Sequence, residues 1–292
     1  MRRFILIAIA FLSIVSCSTA RYVVGPDTSR IKSIPGLQGT VDAVEYRTKE
    51  RGLSRRRLVA YLPPSYYRDT LKRYPVMYLL HGARGNEITW QDSGKVFTGL
   101  DSLVLEGKAE EFILVLPNVN NYFGEKDYKN GHAVNAVRAF WTVDGVVEKL
   151  FVDEVVAVTD SVFRTIPSRE SRAIAGMSSG ALQCIYISAN NPDVFGYVGA
   201  FSPYYYPPVS AAGNMDFYGG IWPKLRRQFA VSPPVKYDIM IGNRDFFYPH
   251  ICNISRRFEK NGFSHRLTVI PDGHEWTAWH AFFLQFSSTV FK

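Results

Sequence analysis

Ser178 stands in Gly176-Met177-Ser178-Ser179-Gly180, directly after the apolar run Ala173-Ile174-Ala175 and directly before a helix-like stretch, Ala181 to Asn190. A serine between glycines at a strand-to-helix turn is the pattern of a nucleophile elbow, where a strained turn exposes the hydroxyl at a sheet edge. The glycines at 176 and 180 are predicted to be steric, because a side chain at either would crowd the elbow against the adjoining strand and helix. Such a string also arises by chance, so its weight rests on its flanks and on partners elsewhere in the chain.

A serine hydroxyl is a poor nucleophile near neutrality and needs a base, which in turn needs an orienting acid. In elbow enzymes the order along the chain is serine, acid, histidine. Four histidines follow Ser178, at 250, 265, 274 and 280. His274 lies in Pro271-Asp272-Gly273-His274-Glu275-Trp276, a loop after the last predicted strand, and is the expected base. His280 inside the closing helix and His265 at the start of a strand are expected to be structural, and His250 to cap or solvate a helix. The expected acid is Asp245 in Gly242-Asn243-Arg244-Asp245, just past a buried strand; its competing use is the N-cap of a helix starting near Pro249. Asp272 is read as a turn residue.

Attack on a carbonyl produces an oxyanion that needs two preorganised donors. The amide of Ser179, next after the nucleophile, is one. The amide of Ala83 in His81-Gly82-Ala83-Arg84-Gly85 is the expected second, with Gly82 letting the backbone turn toward the reacting carbonyl and His81 a structural residue of the loop. No Cys/His spacing typical of a metal site occurs, and no cofactor is expected.

Positioning these groups calls for an α/β fold with a mostly parallel central sheet and helices on both faces. The strand-like runs are 57–62, 75–80, 112–117, 172–175, 195–201, 237–242 and 266–270; 75–80 and 112–117 are continuously apolar, as strands buried on both faces are. The helix-like runs are 96–108, 146–163, 181–190, 251–261 and 276–291. Segment 118–144, rich in Asn, Tyr, Phe and Gly, reads as an insertion over the active-site edge.

The 292 residues, 47% hydrophobic and 14% aromatic, suffice for one catalytic domain. Its body is expected over 39–292. Arg2 and Arg3 precede an apolar run from Phe4 to Val15 and then Ser16-Cys17-Ser18. That run is too short to span a bilayer and is laid out like a secretory signal. Ile14-Val15-Ser16-Cys17 resembles a bacterial lipobox. The expectation is therefore a lipoprotein signal over 1–16, lipidation at Cys17, a tether over 17–38, and an exported, membrane-anchored protein of the bacterial periplasm or cell surface. Formal charge is +8, of which Arg2 and Arg3 contribute two. Without a nucleic-acid motif, a nucleic-acid partner is not expected. The cluster Arg51, Arg55, Arg56 and Arg57 reads as a solvated strand face. Cys184 and Cys252 read as free thiols.

Beyond these local readings, the chain resembles the esterase D-like esterases. This α/β-hydrolase family includes feruloyl and acetylxylan esterases, S-formylglutathione hydrolases, enterochelin esterases and mycobacterial mycolyltransferases. The resemblance runs from Leu58 to Lys292. It is carried by Tyr78-Leu79-Leu80-His81-Gly82 with Trp90 soon after, Arg169 to Ser178, Gly242 to Asp245, and Gly273-His274-Glu275-Trp276 with Trp279 and Phe291-Lys292. It implies a Ser178, His274 and Asp245 triad acting on an ester through an acyl-enzyme. Family elbows often carry two glycines after the serine, where this chain has Ser179-Gly180-Ala181. The expected substrate is an acylated glycan bearing acyl or feruloyl groups, with Trp90, Tyr122, Phe123, Trp141 and Tyr204 to Tyr206 as an aryl or sugar platform. Acyl transfer to a sugar, hydrolysis of a siderophore ester, and a catalytically silent surface binding protein are the alternatives.

Overall fold

The computed structural model describes residues 23–26, 34–50, 53–120, 143, 145–206 and 215–292. In chain order the strands are β1 (Val23–Pro26), β2 (Thr40–Arg47), β3 (Arg55–Leu62), β4 (Val76–Leu80), β5 (Ile113–Pro117), β6 (Arg172–Met177), β7 (Tyr197–Phe201), β8 (Lys236–Gly242) and β9 (Arg266–Ile270). They form one sheet in the order β1-β2-β3-β5-β4-β6-β7-β8-β9. The first three and the β3–β5 pair are antiparallel; from β5 through β4 to β9 every pairing is parallel. The last residues of β4, β6, β7, β8 and β9 therefore open onto the same sheet edge, where α/β proteins bind ligands.

The helices are α1 (Thr89–Gly94), α2 (Val96–Leu105), α3 (Val146–Phe151), α4 (Ala157–Val162), α5 (Ser179–Asn190), α6 (Met215–Tyr218), α7 (Ile221–Val231), α8 (Tyr248–Lys260) and α9 (Trp276–Ser287). Strand alternation sorts the core into two layers. Val76, Tyr78 and Leu80 of β4 face a cluster that includes Phe151, Leu182, Ile185 and Phe258. Met77 and Leu79 face one that includes Phe97, Leu100, Phe282 and Phe286. Helices thus cover both faces. α5 is buried on all sides from Ser179 to Ala189, which makes it a rigid mount for the turn that precedes it.

Several boundaries differ from expectation. The run 146–163 is α3 and α4 joined through a π-helical turn, Val152–Val156. α2 stops at Leu105, and Gly107 follows with φ +67°. β2, α1 and α7 were not anticipated. Val23–Pro26, within the stretch read as a tether, pairs with β2 at the sheet edge. The solvated face expected at 55–57 is corrected. Arg55 is exposed, but Arg56 and Arg57 are each 2% exposed. Arg56 pairs with Glu50, and Arg57 lies 3.5 Å from Glu87; buried guanidinium groups are tolerable because carboxylates meet them. Cys184 and Cys252 are free thiols. Among the described residues no helix is long and apolar enough to cross a membrane.

Candidate active site

Ser178 occupies the turn between β6 and α5 with φ 53° and ψ −117°, a strained conformation for a residue with a side chain. Its amide donates to the Phe201 carbonyl and its carbonyl accepts from Leu182, so strand and helix together hold the strain. The flanking glycines are steric, as predicted. A β-carbon at 176 would stand 2.8 Å from the Gly180 carbonyl carbon, and one at 180 would stand 2.6 Å from the Leu80 carbonyl oxygen.

His274 follows β9, and Asp245 follows β8. His274 Nε2 lies 3.0 Å from Ser178 Oγ, and His274 Nδ1 lies 2.8 Å from Asp245 Oδ2. Burial alone would raise the Asp245 carboxyl; hydrogen bonds from His274 and from the Phe247 amide outweigh it and hold its pKa below the usual value. An ionised carboxylate only accepts, so Nδ1 carries the imidazole proton and Nε2 is left to accept from the serine hydroxyl. Ser202 also donates to Asp245, and its Oγ accepts from Trp279 Nε1 at 3.1 Å. Ser202 is fully buried and has φ 49°. The competing N-cap role of Asp245 is partly real, because its Oδ1 accepts from Phe247 N at 2.9 Å at the start of α8.

The amides of Ala83 and Ser179 meet no acceptor among the described residues. The role expected of Gly82 is corrected. It has no positive φ, and a β-carbon there would be in ordinary contact with Met177. Gly85 is the constrained glycine, because a β-carbon on it would meet the His81 ring at 2.9 Å. His81 is indeed structural: Nδ1 donates to the Gly82 carbonyl at 2.8 Å and Nε2 accepts from Val119 N at 3.1 Å. Burial pulls its pKa down to about 4 and keeps it neutral. His280 Nδ1 bonds to the Gly94 carbonyl, and His265 is held by Ser255 and the Phe263 carbonyl. Asp272 is a turn residue, accepting from Gly273 N and Thr277 Oγ1.

The platform residues divide. Trp90 is corrected: it is 1% exposed, its Nε1 donates to the Leu80 carbonyl, and it packs against Phe201, Trp276 and Phe283 beneath the surface. Tyr204 is half-buried and stacks on Phe247 at 5.2 Å, whose ring stands 5.6 Å from that of His274. Trp141, Tyr122 and Phe123, with most of the 118–144 insertion, lie outside the described residues. One residue that the sequence reading missed is Phe246. It is 66% exposed, and its ring lies 4.4 Å from the His274 ring. Its position directly after Asp245 was the available signal. Among the described residues, no group of three or more His, Cys, Asp or Glu is placed to hold a metal ion.

Comparison with known proteins agrees with this fold. The family described as "Putative esterase" matches residues 52–243, and the chain belongs to it. Its fold is that of the α/β hydrolases. The chain is 34% identical over 151 residues to an endo-1,4-beta-xylanase/feruloyl esterase of Xylanibacter ruminicola; the match covers 51% of this chain and 19% of that protein, so the chain spans about a fifth of that relative's length. A solved ferulic acid esterase superposes with a TM-score of 0.73 at 25% identity, covering 87% of this chain and 98% of the other. A ferulic acid esterase of Anaeromyces mucronatus does so with a TM-score of 0.68 at 25% identity, over 91% and 96% of the two chains.

Proposed function

We propose that this protein cleaves feruloyl or related acyl esters from polysaccharides, using Ser178 as nucleophile, His274 as base and Asp245 as the acid that orients it. The observation that carries this reading is the hydrogen-bond chain from Ser178 Oγ through the imidazole to a buried, ionised carboxylate. As Oγ attacks the ester carbonyl, its proton passes to His274 Nε2, and Asp245 stabilises the imidazolium that forms. The amides of Ser179 and Ala83 are the donors available to the oxyanion; one such donor supplies about 3 kcal/mol of transition-state stabilisation. His274 then returns its proton to the leaving alcohol, and water repeats the sequence on the acyl-enzyme. An intact chain of this kind supports a working enzyme over a silent binding fold.

The aryl preference rests on the exposed Phe246 ring beside His274, backed by Phe247 and Tyr204, and on the ferulic acid esterase names of the relatives. Export and lipid anchoring rest on the charged, apolar and Cys17 pattern of the first residues.

The test is hydrolysis of methyl ferulate and nitrophenyl acetate by the purified protein beside Ser178→Ala. The substitution is expected to lower kcat/KM by several orders of magnitude while the fold persists; undiminished turnover in Ser178→Ala removes the mechanism. For the anchor, the full chain expressed in bacteria with an alkyne fatty acid takes up label, and Cys17→Ser does not. Equal labelling of both defeats that part.

A further inference from the structure

A groove of about 540 Å³ runs between α2 and the start of α9. Ser93, Thr98, Ser102 and Thr277 contribute hydroxyls to it, and Trp276 an indole ring. No carboxylate lines it among the described residues. Its two basic side chains already have partners: Lys95 Nζ donates to the Asp92 carbonyl, and His280 Nδ1 to the Gly94 carbonyl. The groove therefore sets hydroxyls beside an aromatic ring, without a dominant charge; Thr98 Oγ1 and Thr277 Oγ1 donate to the Lys95 carbonyl and to Asp272, which leaves them to accept.

Ring packing links the Trp276 of this groove to the catalytic base. Trp276 meets Trp279 edge to face at 5.2 Å, and Trp279 meets His274 in the same way at 5.1 Å. Trp90 packs against Trp276 at 5.4 Å and 87°, so the ring is fixed from below. A rigid aromatic surface with hydroxyls around it suits a ligand that has an apolar ring face and many hydroxyls of its own.

We propose that this groove binds the sugar backbone of the substrate, a neutral β-linked glycan chain that lies on Trp276 and hydrogen-bonds to the hydroxyls of α2 and Thr277. This rests on the esterase reading above and extends it from the acyl group to the chain that bears it. Xylohexaose is the first probe, since a matched relative's name joins a xylanase to a feruloyl esterase.

The experiment uses the full chain and two groove-filling variants on α2, Thr98→Arg and Ser102→Arg, neither of which touches Ser178, His274 or Asp245. Calorimetric titration with xylohexaose is expected to show binding weakened at least about tenfold in both variants. With esters, kcat/KM for a feruloylated xylo-oligosaccharide falls about tenfold while methyl ferulate stays within about twofold. Unchanged xylohexaose affinity in both variants, equal loss on the two esters, or tighter binding of an oligogalacturonide than of xylohexaose overturns the proposal. A wild-type protein inert toward methyl ferulate sinks the esterase reading instead, and the titration still decides whether the groove binds glycan.

Discussion

Gly242, the last residue of β8, passes so close to Asp272 that a β-carbon on it would stand 2.6 Å from the Asp272 carbonyl carbon. The Asp272 carbonyl also accepts from Arg244 N, and Asn243 N donates to the Ile270 carbonyl. The loop that carries the acid is thus laced to the loop that carries the base. Alanine at 242 must push the two apart. Because a misplacement of about 1 Å in a catalytic site can cost 10²-fold, Gly242→Ala is expected to lower kcat/KM by about that factor. Steady-state kinetics on methyl ferulate check this, and activity within about twofold of wild type would show the loops to be more compliant than argued.

Ser202 shares its buried hydroxyl between Asp245 and the Trp279 indole. Ser202→Ala removes a donor from the carboxylate and leaves Trp279 Nε1 without its acceptor. A stability loss of about 1–3 kcal/mol is expected for such an unsatisfied buried group. Urea denaturation measures it, and kcat should fall with KM little changed, because the residue acts through the acid and not on the substrate.

Phe246 is the aromatic side chain most exposed beside His274, and little of its ring is needed for folding. Phe246→Ala should leave the melting temperature nearly unchanged. Its effect should appear as a KM for methyl ferulate raised about fivefold to tenfold, with nitrophenyl acetate little affected. Equal effects on aryl and acetyl esters would remove Phe246 from acyl selection.

His81 makes stability depend on pH. Its pKa is about 4 in the folded protein, against about 6.5 in an unfolded chain. Between those values the unfolded chain binds more protons, so stability rises with pH. The contribution is fully present above about pH 6.5 and is lost as pH falls toward 4; its full size is on the order of 3 kcal/mol. Urea midpoints across that window should climb steeply for wild type. His81→Asn should be weaker near neutrality but show a flatter climb; an equally steep climb in the variant would assign the titration elsewhere.

Much of the site was legible because its pieces are local. Ser178 announced itself through a strand, two glycines and a helix, and His274 and Asp245 through loops directly after strands that parallel pairing brings to one edge. What stayed hidden depends on pairings between distant segments. Nothing local marks Arg56 and Arg57 as buried, since Glu50 and Glu87 reach them only after folding. Trp90 read as a surface aromatic because its true partners, Leu80 of β4 and Trp276 and Phe283 of α9, converge from two elements far from each other in the chain. The need for Gly242 came from Asp272, thirty positions further on. β2 was passed over because it lies just after a stretch that looked like a tether.

The placement of β1 bears on where the proposed anchor meets the folded body. Val23–Pro26 form the outermost strand, and Cys17 precedes Val23 by six positions in the sequence. Five strand spacings separate β1 from β6, about 24 Å. Were Cys17 to carry the proposed lipid, the anchor would join the sheet at the flank five strands away from Ser178, and the edge that carries the triad would be spared.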